Sequence, residues 1–144
     1  MSMTNYLESG VLNHLFRTDT FSKPSTIAIG LTADVPLETD TGGTNTEVTN
    51  AGAYARVDVG APTNGDWDFV DQGPGASGHT QNTAVITFPK ATANWGMVSG
   101  VIITDNATYG AGNVLMFGKL TVARDIKNND TFSFSANELD IFLS

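Results

Sequence analysis

The first residues of the chain have the spacing of a short amphipathic helix. Four apolar residues recur at positions i, i+4, i+5 and i+8, which places them on one helix face. Asn5 offers a capping side chain and Glu8 follows three residues later, so the pattern predicts a helix that ends near Phe16. So short a helix is marginal alone in water, and its apolar face must therefore pack on this chain or on a neighbour. The apolar residues are Leu7, Val11, Leu12 and Leu15.

From residue 26 onward the apolar positions alternate, which is the period of a β-strand. Seven or eight short strands separated by turns rich in Gly, Asn and Asp predict a mainly β, β-sandwich or jelly-roll-like fold with a short N-terminal helix. The small residues Ala28 and Gly30 indicate close approach of another layer. The nearly all-apolar run at 114–122 predicts a central strand covered on both faces. The predicted strands are 26–32, 53–59, 83–88, 97–104, 114–122, 131–134 and 139–143.

We predict a single domain over residues 1–144, with an N-terminal helix or arm at 1–20 and the β-sandwich at 26–144. Two loops near twenty residues long, 34–52 and 60–81, interrupt the strands, and loops of this length are usually functional or mobile. Trp67, which lies in the second loop, is expected to anchor that loop to the core. The exposed loop contacts that we expect are Trp67, Phe69 and Tyr109.

The charge of the chain narrows the classes of partner. The 144 residues carry a formal net charge of −8, and eight acids between Asp34 and Asp71 face one base, Arg56. We expect that stretch to be solvated or to face a basic partner. An acidic chain gains nothing from counterion release, so we expect no nucleic acid partner, and we expect no membrane partner either. The chain has no Cys, which excludes a disulfide scaffold and a Cys-ligated zinc site.

Candidate catalytic and metal-ligating groups are sparse. The two histidines, His14 and His79, accompany no Gly-x-Ser-x-Gly nucleophile elbow. The residue types at 38–49 do not fit an EF-hand, although an irregular calcium site that uses Glu38, Asp40 and Glu47 stays open. Asp66 and Asp68 flank Trp67 as carboxylates do in some sugar-processing sites. We expect the protein not to be an enzyme, with no catalytic residues, no cofactor and no metal.

An ordered set of local motifs resembles a family of small tailed-bacteriophage virion proteins. Members of this family are described as capsid decoration (cement) proteins, tail fibre proteins or phage structural proteins. The motifs cover most of the chain, and their order and spacing carry the likeness. They are NYLE at 5–8, VLNHLF at 11–16, IGLT at 29–32, TEV at 46–48, GAYARV at 52–57, NTAVITFP at 82–89, ATANWGMV at 91–98 and LMFGKL at 115–120.

The resemblance implies a virion structural role without catalytic residues. It favours a capsid decoration protein that is made in the bacterial cytoplasm, binds the outer surface of the head and bridges subunits of the major capsid protein. The alternative is a tail or fibre component that binds a host-surface receptor or glycan. By analogy with icosahedral shells we expect self-association, as a trimer. The expected subunit or capsid contacts are Leu7, Val11, Leu12 and Leu15.

Overall fold

A computed structural model describes residues 1–68 and 78–143 of the chain. Within these ranges the protein is mainly β with one short helix near its N-terminus, which confirms the predicted fold class. In chain order the elements are β1 (Ser2–Met3), α1 (Asn5–Phe16), β2 (Ile27–Thr32), β3 (Val57–Gly60), β4 (Gly78–Gln81), β5 (Ile86–Thr87), β6 (Gly96–Thr104), β7 (Val114–Ile126), β8 (Ser133–Phe134) and β9 (Asp140–Leu143).

Five strands form one antiparallel sheet in the order β1–β7–β6–β2–β3. The central strand β6 pairs with β2 along the register Ile29↔Ile103 and with β7 along Ile103↔Met116. These pairs bring apolar side chains of three strands to one face of the sheet, because residues directly opposite in a ladder share a face. The alternation in the sequence thus placed the central strands correctly.

Two short antiparallel ribbons, β5–β8 and β4–β9, complete the core on that face. Ile29 and Ile103 of the sheet belong to the same buried cluster as Phe88 and Phe134 from the β5–β8 region. Phe134 lies against Phe88 with ring centroids 6.4 Å apart. Each such side chain contributes roughly 1.5–3 kcal/mol when it is removed from water. The core therefore lies between the sheet and the ribbons.

The loop between β2 and β3, residues 33–56, is called the β2–β3 loop below. Its Val48 and Tyr54 join the core, and other parts of it pack on the opposite side of the sheet. A Cβ placed on Gly30 would lie 2.9 Å from Ile102 and 3.0 Å from the Glu47 carboxylate. A Cβ on Gly100 would meet Thr32 and the backbone of Asp34. The close approach predicted from Ala28 and Gly30 is confirmed, and the approaching layer is this loop.

The N-cap of α1 is Thr4, so the predicted capping role of Asn5 is wrong. The Thr4 hydroxyl accepts a bond from the Leu7 amide at 3.4 Å and donates one to the carbonyl of Val114 at 2.5 Å. Asn5 is instead the first helical residue. Thr4 is fully buried against β7, and its hydroxyl satisfies both the helix end and the neighbouring strand. The predicted helix end at Phe16 is confirmed.

The prediction that the apolar run of β7 is covered on both faces is wrong for the second half of the strand. Val114–Phe117 is buried, but Val122 is 64% exposed and the strand continues as far as Ile126. In the described residues, β1 pairs with β7 only through Ser2 and Met3. Because β1 is so short, the second half of β7 lies at an edge of the sheet, beyond the end of β1.

The described part of the second predicted loop, 60–81, contains a strand that the sequence pattern missed. Gly78–Gln81 forms β4 and pairs with β9 along His79↔Phe142. Its residues are small or polar, so hydrophobic alternation could not reveal it. Conversely, the predicted strand at 83–88 is reduced to Ile86–Thr87.

Candidate functional site

The densest polar cluster lies under the β2–β3 loop and centres on Arg56. Its guanidinium binds the Glu47 carboxylate through two parallel bonds, Nε to Oε1 at 2.8 Å and Nη2 to Oε2 at 2.7 Å. The side chains of both residues are almost fully buried. A two-point arrangement of this kind is the strongest geometry for an arginine–carboxylate pair.

The remaining donors of Arg56 bind backbone carbonyls. Nη1 donates to Asn106 and Ala111 at 2.8 Å each, and Nη2 donates to Gly42 at 3.2 Å. All five N–H groups of the guanidinium therefore have an acceptor within this chain. Arg56 thus joins the β2–β3 loop to the β6–β7 turn, and the cluster is a structural clamp.

Tyr54 completes the clamp. Its hydroxyl donates to the Glu47 carboxylate at 2.9 Å and accepts a bond from the Leu31 amide at 2.9 Å. Burial, reinforced by the neighbouring Glu47 charge, raises the pKa of the Tyr54 hydroxyl well above its ordinary value. The hydroxyl therefore stays protonated and acts as a donor at any physiological pH.

The clamp corrects, at Glu47 alone, the prediction that the acidic stretch 34–71 is solvated or faces a basic partner. Four of its other acids are exposed as predicted: Asp34, Glu38, Asp58 and Asp68. Glu47 is buried and is neutralised by Arg56 of the same chain. Asp71 lies outside the described residues. The sequence contained one signal for this pairing, since Arg56 is the lone base among eight acids.

The irregular calcium site that the sequence left open, with Glu38, Asp40 and Glu47, is not assembled. Glu47 binds Arg56, and the carboxylate of Asp40 accepts the Leu37 amide at 2.8 Å. Over residues 1–68 and 78–143, no group of three or more His, Asp or Glu side chains is placed to hold a metal ion.

The apolar residues of α1, which were predicted to share one face, are divided between two environments. Leu7 packs against the core and Val11 is half-buried, whereas Leu12 and Leu15 are 56% and 64% exposed. Phe16, which was predicted as the end of the helix but not as a contact, is 80% exposed. The 12-residue helix is too short to cross a bilayer, and no other helix within the described ranges could do so.

Trp67 borders a groove of about 400 Å³ between β3 and the β5 region. It also packs against the core, which confirms its predicted role as an anchor of the second loop. Asp66 and Asp58 line the same groove, whereas Asp68 is not among its described lining residues. Asp66 accepts a bond from the Thr63 hydroxyl at 2.6 Å. The groove combines an aromatic ring with carboxylates, a combination that suits a hydroxyl-rich ligand.

Of the other two predicted loop contacts, Tyr109 does not line this groove. Tyr109 is 37% exposed and lies edge-on to Tyr54, with ring centroids 6.2 Å apart, above the clamp. Phe69 lies outside the described residues. Trp95 is half-buried, packs against the core and donates its indole N–H to the Gly52 carbonyl at 2.8 Å.

The two histidines have separate environments. His79 Nε2 lies 3.0 Å from the Asp140 carboxylate, which also accepts a bond from Gln81 at 2.5 Å. These two hydrogen bonds, with that to His79 the stronger cause, lower the pKa of Asp140. His14 accepts the Phe21 amide at 3.3 Å. Within the described residues, neither histidine is hydrogen-bonded to a Ser or Thr hydroxyl that could act as a nucleophile.

A larger open groove, about 1010 Å³, runs beside the exposed half of β7. Lys119 and Arg124 line it together with Asp125 and Glu138. The mixture of charges and the unpaired strand edge suit a protein surface better than a small ligand.

The chain matches a known protein family over nearly its whole length. The family model described as Podophage GP4 fiber I protein gp80 matches residues 2–142, which is nearly the whole chain. No curated protein matches the chain.

Proposed function

The chain belongs to the podophage GP4 fiber I protein gp80 family, and from this premise we propose that it is a fibre subunit of the virion that contacts the host surface. The family places the protein among phage virion structural proteins. The match over residues 2–142 is the observation that carries the proposal.

We propose further that the protein acts by binding and not by catalysis. Its best-formed polar cluster, Arg56 with Glu47 and Tyr54, is buried and has its donors satisfied internally. A fibre subunit needs complementary surfaces, and the exposed apolar side chains of α1 and the two grooves offer such surfaces.

The groove at Trp67 is the proposed contact for a host-surface glycan. An indole face packs against the C–H groups of a sugar ring, and carboxylates accept bonds from its hydroxyls. The described lining contains Asp58 and Asp66 but no Lys or Arg, which favours a neutral or amino sugar over an acidic one.

Immunogold labelling of intact virions with an antibody to this chain tests whether the protein lies on the fibres or on the head. We expect label on the fibres. Label on the head alone would overturn the fibre assignment and would support the second candidate, capsid decoration.

Capsid decoration is a second candidate because the surface chemistry also suits it. The net charge of −8 favours a position outside the shell, away from packaged DNA. The exposed apolar end of α1 could bridge subunits of the major capsid protein. Purified protein that binds empty heads and ignores host cells would support this function.

Titration of neutral, amino and acidic oligosaccharides against purified protein tests the groove. We expect binding of a neutral or amino sugar that Trp67→Phe and Asp66→Asn weaken. Asp68→Asn is the matched control, because it removes the same charge two residues along the loop without a described place in the groove. Equal weakening by Asp66→Asn and Asp68→Asn would contradict the assignment of the site.

A further inference from the structure

The net charge of the protein is distributed unevenly between two parts of the chain. The first 25 residues, which we call the arm, hold two acids and two bases, so their side chains sum to zero. Residues 26–144 hold the other thirteen acids and five bases, which gives the whole −8. The arm is therefore the neutral part of a strongly acidic protein. The charged residues of the arm are Glu8, Arg17, Asp19 and Lys23.

The neutral arm also carries the most exposed apolar turn of the protein. Leu12, Leu15 and Phe16 are spaced i, i+3 and i+4, so they form one face at the C-terminal end of α1. Their exposures are 56%, 64% and 80%, and Phe16 is the most exposed large apolar residue in the described chain. Leu7 and Val11 face the protein's own body, so the exposed face is not needed to hold the helix in place.

The helix is fixed before any partner arrives. Thr4 ties its first turn to β7, and the ring of Phe21 folds back over Gly10, where any Cβ would overlap it. Phe21 also packs edge-on against Tyr6, with ring centroids 5.9 Å apart, and its amide binds His14. A preformed apolar face loses little conformational entropy on binding.

We propose that the exposed face of α1 is a self-association surface and that its occupant is the α1 face of a second copy of this chain. Two bodies of charge −8 repel each other, so copies meet most favourably where neither presents net charge. The two arms meet this condition and also offer side chains at the spacing of helix–helix packing. Because the face is small, the contact belongs at the weak end of protein interfaces, and many copies in one assembly would strengthen it.

Sedimentation equilibrium of the purified full-length chain over a range of protein concentrations tests the proposal. We expect concentration-dependent association that the double variant Leu15→Ser, Phe16→Ser weakens by about tenfold or more. Leu37→Ser is the matched control, because Leu37 is as exposed as Leu15, at 65%, but lies on the acidic body and lines neither groove. Circular dichroism and thermal unfolding report that each variant is folded, which we expect because all three side chains are largely exposed.

Salt provides a second readout. Raising NaCl from about 50 to about 500 mM screens the repulsion between the acidic bodies, so association through the neutral arms becomes stronger. A wild-type chain that stays monomeric throughout would overturn the proposal and would leave the face to another virion protein. Association that weakens with salt, or that survives the double variant, would place the contact elsewhere. None of these results shows where on the virion the protein lies. The self-association proposal and the fibre proposal can therefore be refuted separately, the first by sedimentation and the second by immunogold labelling.

Discussion

The β2–β3 loop buries a charge in a stretch whose composition suggests exposure, and the N-terminal arm exposes apolar residues whose spacing suggests burial. The loop, rich in acids and polar residues, has the composition of a solvated surface, yet its Glu47 is buried against Arg56. The arm has the apolar spacing of a core helix, yet Leu15 and Phe16 are among the most exposed apolar residues of the described chain. Composition and spacing therefore did not reveal that Glu47 is buried or that this end of the helix is exposed.

The two regions differ in whether their side chains find partners within the chain. The loop pairs Glu47 with Arg56 within the chain and so holds the sheet, while Asp34 and Glu38 stay exposed. The arm uses Thr4 and Leu7 to attach itself and leaves the end of its helix available. Contacts with other virion proteins are therefore expected at the arm and not at the buried Arg56–Glu47 pair.

Removal of the clamp arginine has the largest expected effect. Arg56→Met leaves the Glu47 carboxylate buried without its partner, which we expect to lower the free energy of unfolding by about 3–5 kcal/mol. Urea denaturation measures this, with the exposed Arg124→Met as the matched control. The double variant Arg56→Met, Glu47→Gln should lose less than Arg56→Met alone. A loss as small as that of Arg124→Met would show that the loop is not held by the clamp.

A glycine at the base of the loop is the next most sensitive position. A Cβ on Gly42 would overlap the backbone carbonyl of Ala111, and Gly42 also accepts a bond from Arg56. We expect Gly42→Ala to cost about 2 kcal/mol of unfolding free energy, because backbone must move. Gly65→Ala is the control, since its nearest atom would be the Thr63 hydroxyl at 3.6 Å. Equal stability of the two variants would contradict the tight docking.

The buried hydroxyl of Thr4 is one of the contacts that attach the arm, beside the β1–β7 pairing and the packing of Leu7. Thr4→Ala removes the N-cap and the bond to Val114, and we expect a loss of about 1 kcal/mol. Thr4→Ser should retain most of the stability because it keeps the hydroxyl. Hydrogen exchange at the Leu7 amide should increase in Thr4→Ala but not in Thr4→Ser. If Thr4→Ala and Thr4→Ser lose the same free energy of unfolding, the stabilisation comes from the methyl group and not from the hydroxyl.

The exposed pair of His79 and Asp140 gives the smallest effect and measures what pairing contributes without burial. Its hydrogen bonds lower the pKa of Asp140, so the pair stabilises the fold above the ordinary pKa of an aspartate. That stability is lost as the pH falls through the lowered pKa of the folded state. We expect Asp140→Asn to cost less than about 1 kcal/mol at neutral pH, because the pair is screened by solvent. NMR titration of the Asp140 carboxyl group measures the pKa, and an ordinary value would refute the pairing.

Several elements of the fold were predictable because their signals are local. The alternation at 26–32 and 97–104 defined β2 and β6, and the helical spacing defined the end of α1 at Phe16. The β4 strand, Gly78–Gln81, escaped because its residues carry no hydrophobic alternation. Of the predicted site residues, Leu12 and Leu15 are exposed as a contact requires, whereas Leu7 packs against the chain's own core. Hydrophobic spacing defines a helix face but not the object that the face meets.

The sequence alone determined the mainly β class, the short N-terminal helix and the net charge of −8, because these follow from local periodicity and composition. Tertiary structure alone decided which charges are buried and which apolar groups are exposed. Arg56 and Glu47 lie nine residues apart on a loop, and only the packing of that loop on the sheet brings them together and removes water from both. The face of α1 is exposed for the converse reason, since the body of the protein covers only one side of the helix.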